Sequence, residues 1–64
     1  MPEYKINDRV VLLNMDTNIH PQIGTVIGLD EPRAIYTIEI DKEDREPGDV
    51  DGLVEVPFDS EDLR

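Results

Sequence analysis

Hydrophobic and polar residues alternate most clearly over residues 35–41, IYTIEID, where successive side chains would point to opposite faces. A period of two residues is typical of an antiparallel strand with one buried face. Residues 24–29 form a second apolar stretch, and the intervening residues 30–34 contain a proline that suits a tight turn. The pattern therefore predicts a β-hairpin over residues 24–41, around which the rest of the chain is arranged.

Two further strands are predicted on either side of the hairpin. Residues 9–13, RVVLL, are apolar and rich in β-branched side chains, and residues 53–57, LVEVP, alternate. Residues 14–23 separate the first strand from the hairpin. They are predicted to form a loop, because Pro21 blocks a helix and holds the residue before it in an extended conformation.

Polar segments interrupt the pattern after the hairpin. Residues 42–52, KEDREPGDVDG, predict an acidic loop, since a proline–glycine pair and a final glycine argue against a continuous helix. Residues 59–62, DSED, predict one short helical turn with Asp59 or Ser60 as its N-cap. No stretch keeps a period of 3.6 residues over three turns, so the sequence predicts an all-β fold.

The same alternation predicts the core. It consists of the inward apolar side chains of the strands and of apolar residues near both ends of the chain. The predicted core residues are Ile6, Val10, Leu12, Val26, Leu29, Tyr36, Ile38, Ile40, Val54, Val56, Phe58 and Leu63. Gly24 and Gly28 indicate sharp bending or close backbone approach within a strand. A chain of 64 residues buries only about 60% of its unfolded surface, so we expect one domain over residues 1–64, without a deep cleft.

The order of these elements resembles a known class of fold. Asp8-Arg9-Val10 opens the pattern and is followed by a long loop, a G-T-V triplet starting at Gly24, a tight turn and an alternating strand. A second loop, a V-x-V-P strand and a closing D-L complete it. This order resembles small SH3-like β-barrels over residues 6–63, especially KOW-type modules and similar bacterial and phage single-domain proteins. The resemblance implies a five-stranded SH3-like barrel with one short C-terminal helical turn.

The net charge of the chain argues against the nucleic-acid binding that this resemblance implies. Sixteen acidic and six basic residues give a formal net charge of -10, whereas small domains usually carry a magnitude of about 2–8. Residues 39–64 hold eleven acids and three bases, hence -8, and residues 1–38 hold five acids and three bases, hence -2. Such a surface repels phosphate backbones and anionic membranes and attracts basic surfaces. KOW-type modules bind nucleic acid, but this charge argues against direct binding here.

No pattern for catalysis is present, and the pattern for metal binding is incomplete. His20 is the only histidine, and Ser60 lies in a capping context rather than in a nucleophile motif. If Gly52 is placed at the sixth position of a calcium loop, Pro47 and Phe58 fall where carboxylates are needed. The chain has no cysteine, so neither a thiolate site nor a disulfide is available. We expect no enzymatic activity and no cofactor, and weak binding of a divalent cation by the acidic loop stays open.

The acidic residues supply the functional hypothesis. A row of carboxylates can imitate phosphates and occupy the basic groove of a nucleic-acid-binding protein, with fast and salt-sensitive encounter. The candidate partner-binding residues are Glu39, Asp41, Glu43, Asp44, Glu46, Asp49, Asp51 and Glu55. The sequence favours a non-catalytic module that binds a protein with a basic surface. The sharper form of this hypothesis is a nucleic-acid-mimicking inhibitor of the phage or anti-defence type.

Other functions stay open at this point. The chain is also compatible with a structural accessory subunit, with a KOW-like module associated with nucleic acid or ribonucleoprotein, or with acidity that serves solubility alone. Its longest apolar run, residues 10–13, is far below the roughly 20 residues needed to span a bilayer. Residues 1–7 do not form a signal peptide. We therefore expect a cytoplasmic protein with no membrane partner. Exposed strand edges would also allow a homodimer.

Overall fold

The computed structural model describes residues 2–14 and 19–64. These residues form four β-strands: β1 (Arg9–Asn14), β2 (Ile19–Asp30), β3 (Ile35–Ile40) and β4 (Leu53–Pro57). The strands form one antiparallel sheet in the order β1-β2-β3-β4. A single 3-10 turn, Lys42–Asp44, lies between β3 and β4. The prediction of an all-β fold is thus confirmed for the described part of the chain.

The predicted hairpin is the centre of the sheet. β2 and β3 pair from Gly24–Ile40 at one end to Asp30–Ile35 at the other. The connecting turn closes with a hydrogen bond of 3.1 Å from the Ala34 N–H to the Glu31 carbonyl. Ala34 has a φ of 54°, in the left-handed region that disfavours a residue with a Cβ. The turn is therefore closed at the expense of local backbone strain.

Close approach and bending within the hairpin have two separate causes. A Cβ added at Gly24 would lie 2.7 Å from the Ile38 Cγ2, so the two strands could not approach this closely with a larger residue. The register of β2 and β3 shifts between Val26 and Gly28, which makes Ile27 the extra residue of a β-bulge. The Ile27 side chain is 43% exposed. The close approach thus occurs at Gly24 and the bulge directly before Gly28, the two glycines that indicated them in the sequence.

The loop predicted over residues 14–23 is wrong at both ends, because β1 and β2 extend into it. Residues 15–18 lie outside the described residues. Pro21 belongs to β2 at the point where the β1–β2 register shifts, next to the Leu12–Gln22 pair. A proline is tolerated at such an irregularity because its missing N–H removes no ladder hydrogen bond. The residue before a proline is extended in loops and in strands, so this proline did not distinguish the two.

The C-terminal residues pair with the outer edge of β1. The Val11 N–H donates to the Arg64 carbonyl at 2.6 Å, and the Arg64 N–H donates back to the Val11 carbonyl at 2.8 Å. Leu12 and Leu63 form an isolated antiparallel bridge within this pairing. The described residues therefore form four strands and one bridge, where the sequence predicted five strands.

The helical turn predicted over residues 59–62 is not formed. Residues in this segment adopt hydrogen-bonded turns, and Ser60 donates its N–H to the Pro57 carbonyl at 3.1 Å. The Ser60 hydroxyl accepts the Asp62 N–H at 3.2 Å, so the capping oxygen is used, but in a non-helical turn. In the described residues the only helical turn is Lys42–Asp44, within the segment that the sequence assigned to an irregular loop.

The core lies on one face of the sheet, here called the inner face. Its buried residues are Val10, Val26, Tyr36, Ile38, Ile40, Val56 and Leu63, and Tyr4, Leu12, Leu29, Val54 and Phe58 pack against them. Eleven of these twelve residues were predicted, and Tyr4 was missed in favour of Ile6, which is 46% exposed. A turn explains the error: the Asp8 N–H donates to the Lys5 carbonyl at 3.0 Å, which rotates Ile6 towards solvent.

Tyr36 connects the N-terminal segment to the core. Its ring is fully buried, and its hydroxyl accepts the N–H groups of Glu3 at 2.8 Å and of Tyr4 at 3.2 Å. The rings of Tyr4 and Phe58 both pack against it, with centroid distances of 5.6 and 4.5 Å. The three aromatic residues therefore form one cluster that fixes the N-terminal segment against the sheet.

Candidate functional site

The acidic loop, residues 41–52, is attached to β2 at the end of the hairpin. The Asp41 N–H donates to the Ile23 carbonyl at 2.8 Å, and the Asp44 carboxylate accepts the Ile23 N–H at 2.9 Å. The side-chain amide of Gln22 donates to the Asp44 carbonyl at 2.8 Å. β3 pairs with β2 only as far as Gly24, so these loop residues satisfy the backbone groups of β2 where its neighbouring strand has ended.

Arg45 closes the acidic loop from within. Its Nε donates to the Ile40 carbonyl at 2.8 Å, and its Nη1 donates to the Val50 carbonyl at 3.0 Å. Gly52 has a φ of 65°, and a Cβ there would lie 2.8 Å from the Arg45 Cζ. The glycine is therefore required both by the backbone conformation and by the space that the guanidinium occupies. Because Arg45 bonds to carbonyls, it holds the loop without pairing with its carboxylates.

Asp49 also shapes the loop. Its carboxylate accepts the Gly52 N–H at 3.0 Å, an Asx-type bond between residues three apart. The Asp44 carboxylate accepts the Ile23 N–H, and the Asp49 carboxylate accepts the Gly52 N–H. Both carboxylates therefore help to fix the backbone of the loop. Two of the predicted partner-binding residues thus have structural roles.

Asp41 is committed to an ion pair with β1. The Arg9 guanidinium donates through Nη1 to Oδ1 at 2.9 Å and through Nη2 to Oδ2 at 2.5 Å. Nη1 also donates to the Thr25 hydroxyl at 2.8 Å. The hydrogen bonds from Arg9 lower the pKa of Asp41 below its ordinary value, and Asp41 raises the pKa of Arg9. The pair joins β1 to the start of the acidic loop across β2.

Glu55 is partly neutralised by an arginine of the hairpin turn. The Arg33 guanidinium lies 3.2 Å from the Glu55 carboxylate, and its Nε donates to the Asp30 carboxylate at 2.5 Å. The hydrogen bonds from Arg33 lower the pKa of Asp30. Of the eight predicted partner-binding residues, Asp41 and Glu55 are therefore already paired with arginines of the same chain.

The other four predicted residues are available to a partner. All four are exposed, and none of their carboxylates forms a hydrogen bond or ion pair with another residue in the described ranges. They are Glu39, Glu43, Glu46 and Asp51. Glu39 lies on the outer face of the sheet opposite Leu53, and the other three lie on the acidic loop that begins one residue after β3. The structure thus places them all at one end of the sheet.

An apolar side chain interrupts this acidic surface. Val50, between two aspartates of the loop, is 82% exposed. Its carbonyl accepts from Arg45, so its backbone position is fixed while its side chain extends into solvent. A single exposed apolar side chain is common on protein surfaces, and hydropathy patterning alone did not single out Val50.

The sequence provided only part of the information needed to find this arrangement. The spacing of Asp49 and Gly52, D-x-x-G, is a local signal for an Asx-type turn. No local signal joins Arg9 to Asp41, which lie 32 positions apart, or Gln22 to Asp44. Sequence reasoning therefore treated eight carboxylates as equivalent, although four of them already bond to other groups of the chain.

Two observations on the described residues concern metal binding and membrane insertion. Within residues 2–14 and 19–64, no group of three or more His, Cys, Asp or Glu side chains is arranged to hold a metal ion. No helix in the same ranges is long and apolar enough to cross a bilayer.

Comparisons of the chain with protein-family models, with curated proteins and with solved structures gave no match. The resemblance to SH3-like barrels and KOW-type modules therefore rests on the order of the elements and on the short motifs given above.

Proposed function

We propose that the protein is a non-catalytic protein-binding module that acts through the acidic loop and binds a partner with a basic surface. The observation that carries this proposal is the state of Glu39, Glu43, Glu46 and Asp51. Their carboxylates are exposed and form no hydrogen bond or ion pair within the described residues. Glu39 lies near the end of β3, and the other three lie on the loop whose backbone Arg45 holds. A preordered array of charges loses little conformational entropy on binding, and uncompensated carboxylates attract basic surfaces.

The scaffold in this proposal is a small SH3-like β-barrel. The pairing of Leu63 with Leu12 supports it, because it adds the end of the chain to the free side of β1. The sequential β1-β2-β3-β4 order of the sheet supports it as well. The acidic loop follows the last residue of β3, whereas Tyr36 lies near its start, so this scaffold would present the loop away from the Tyr36 cluster.

In the sharper form of the proposal, the protein is a nucleic-acid mimic that inhibits a nucleic-acid-binding protein, as phage and anti-defence inhibitors do. The net charge of -10 supports this form, because the basic groove of such a partner is built to neutralise a row of phosphates. Val50 would add an apolar contact at the centre of the acidic surface. Binding of this kind is fast at low salt and weakens steeply as salt is added.

A structural accessory subunit is the second candidate, and the outer face of the sheet favours it. Ile23, Ile27 and Leu53 are 42%, 43% and 51% exposed. Exposed large apolar side chains are common where a protein contacts an assembly. An accessory subunit would retain its partner at high salt, since apolar contacts are not screened.

The test compares two variants of equal charge. The loop variant carries Glu43→Gln, Glu46→Gln and Asp51→Asn, and the control carries Glu3→Gln, Glu31→Gln and Glu61→Gln, which are exposed acids outside the acidic loop. Each variant loses three negative charges. In capture from a lysate at low salt, the wild type and the control should retain a basic partner that the loop variant releases. High salt should release it from all three.

Double-stranded DNA then separates the forms of the proposal. A mimic should be displaced from its partner by DNA, whereas an accessory subunit should not. Recovery of only neutral or acidic partners that survive high salt would contradict the acidic-surface function. A gel shift of DNA or RNA by the free protein at low salt would instead support the KOW-like alternative.

A further inference from the structure

β4 forms one edge of the sheet and is unpaired on its outer side. The strand order ends at β4, and no described residue pairs with it except those of β3. The opposite edge differs, because the C-terminal residues pair with β1. β4 is therefore the open edge of the described sheet.

The register shows which backbone groups of β4 are free. The Ile40 N–H donates to the Gly52 carbonyl at 2.7 Å, and the Phe58 N–H donates to the Ala34 carbonyl at 2.9 Å. Hydrogen-bonded pairs recur at every second residue of an antiparallel ladder. Val54 and Val56 therefore bond to β3, and the backbone groups of the alternate residues of β4 point outward.

Those outward groups belong to Leu53 and Glu55, which are both exposed on the outer face. Pro57 has no N–H and ends the strand, which limits any further pairing to about four residues. An open, regular edge of this length is the template on which an extended peptide can add a strand.

We propose that the β4 edge binds an extended, basic segment of the partner by strand addition. This inference rests on the proposed function, since it names how part of a basic partner is recognised. The Glu55 carboxylate lies on the outer face of this edge strand, and Arg33 neutralises it only in part because one guanidinium binds both Asp30 and Glu55. Asp51, whose carboxylate has no ion pair among the described residues, precedes it on the acidic loop. Opposite charges on directly opposed strands stabilise pairing, and like charges oppose it. The edge is thus selective for a strand that carries lysine or arginine.

The same charges argue against a second copy of this chain as the occupant. Each copy carries a net charge of -10. Pairing of two β4 edges would bring Glu55 and Asp51 of one copy close to those of the other. Charged residues on edge strands are a common means of preventing self-association. A basic segment gains from the charges that exclude a second copy.

The expected segment alternates basic and apolar residues. Side chains of an added strand that lie level with Glu55 would point to the outer face, where its carboxylate is 3.2 Å from Arg33. Those level with Val54 and Val56 would point to the inner face, where both residues contact the core. The probe is therefore the capped pentapeptide acetyl-Lys-Val-Lys-Val-Lys-amide.

The experiment titrates this probe into the labelled protein while nuclear magnetic resonance follows the backbone amides. The variants are Glu55→Pro and Glu55→Gln, which remove the same charge. Only proline removes the outward N–H, and the preceding residue is already in a strand, as a residue before proline prefers. We expect the Leu53 and Glu55 amides to shift and to gain protection from exchange. Binding to Glu55→Pro should be at least about tenfold weaker than to Glu55→Gln.

A second variant covers the case in which Glu55→Pro does not fold. The chain is short enough for chemical synthesis, and an N-methyl group on Glu55 removes the same donor while the charge stays at its wild-type value. The same loss of about tenfold is expected. A probe N-methylated at its central lysine, with an unchanged charge, should bind equally weakly.

Three outcomes would overturn the inference in distinguishable ways. Equal, salt-sensitive binding of the probe to Glu55→Pro and Glu55→Gln would remove strand addition but leave the acidic-surface function intact. Equal binding of a neutral Ser-Val-Ser-Val-Ser probe would keep the edge as a site but contradict its preference for basic segments. A concentration-dependent dimer of the wild type that Glu55→Pro abolishes would assign the edge to a second copy.

Discussion

The two connections of the β3 strand are both acidic and are both closed by an arginine, but the arginines act differently. In the turn between β2 and β3, Arg33 bonds to the carboxylates of Asp30 and Glu55. In the acidic loop between β3 and β4, Arg45 bonds to two backbone carbonyls. An arginine bound to carboxylates partly neutralises them, whereas Arg45, bound to carbonyls, forms no ion pair with a described carboxylate of the loop.

This difference explains why only one connection is a candidate binding surface. Residues 41–52 contain six acids and two bases, so their formal charge is -4, and residues 30–34 contain two acids and one base, hence -1. Arg45 fixes the shape of the more acidic segment without neutralising it. The acidic loop therefore combines a backbone held by hydrogen bonds with several unpaired carboxylates. In the turn, the arginine that bonds to Asp30 also offsets its charge.

Gly52→Ala is expected to give the largest effect. The substitution places a Cβ against the Arg45 guanidinium and imposes a φ of 65° on a residue other than glycine. The free energy of unfolding should fall by about 3 kcal/mol, from backbone strain and lost hydrogen bonds. Thermal unfolding measures the loss, at about 4–8 °C for each kcal/mol in a domain of this size.

Gly48→Ala is the matched control for that prediction. Gly48 has a φ of 90°, but a Cβ there would meet nothing within 4 Å. Its loss should be only about 1 kcal/mol, from backbone strain alone. Equal losses for the two variants would show that the guanidinium does not occupy the space beside Gly52.

Arg45→Ala compared with Arg33→Ala tests the two arginines directly. Removal of Arg45 leaves the carbonyls of Ile40 and Val50 without their donors and should cost about 2 kcal/mol. Arg33 forms exposed ion pairs, so its removal should cost less, by an amount that shrinks as salt is added. Chemical denaturation at low and high salt gives both values. An equal, salt-independent cost for the two would contradict the comparison.

A third prediction concerns the carboxylate by which the acidic loop joins β1. The pKa of Asp41 is lower in the folded protein than its ordinary value of 3.8, so its ionised form stabilises the fold. This contribution is complete above about pH 5 and is lost as pH falls through the lowered pKa. The stability difference between the wild type and Asp41→Asn should be constant near neutral pH and disappear in acid.

A double-mutant cycle provides the control for the Asp41 prediction. In the background of Arg9→Gln, the ion pair is absent, and Asp41→Asn should no longer change the acid dependence of stability. Persistence of the full effect in that background would assign the lowered pKa to groups other than Arg9.

Ala34→Gly is expected to have the smallest effect, and it is stabilising. Ala34 has a φ of 54°, which glycine adopts without steric cost. The gain is reduced by the greater freedom of glycine in the unfolded chain, so it should be about 0.5 kcal/mol. Ala34→Ser keeps the strain and should change little. A loss of stability in Ala34→Gly would mean that the Ala34 methyl contributes more by packing than its conformation costs.

The sequence predicted the parts of the fold that depend on local pattern. The alternation over residues 35–41 located β3 to within one residue, and LVEVP gave the bounds of β4. The prediction failed where the same local sequence signal is compatible with two kinds of backbone structure. Pro21 is compatible with a loop and with a bulged strand, and pairing with β1 decided between them.

The candidate site was less predictable, for a related reason. Charge patterning found the acidic surface, but, apart from the local Asp49–Gly52 bond, the ion pairs and hydrogen bonds that divide it join residues 21 to 32 positions apart. The roles of Arg9 and Gln22 depend on tertiary contacts that no window of sequence contains. Composition therefore locates a charged region, and only the fold shows which of its charges are free.

The Leu12–Leu63 bridge has a consequence for the order of folding. It joins residues 51 positions apart, whereas the β2–β3 turn joins Asp30 to Ile35. Loop closure costs more entropy as the separation grows, so the hairpin should form before the rate-limiting barrier and the bridge after it. In stopped-flow kinetics, Leu63→Ala should mainly accelerate unfolding, while Val26→Ala should mainly slow folding. The segment around Leu63 then determines the unfolding rate, and so the lifetime of the native state.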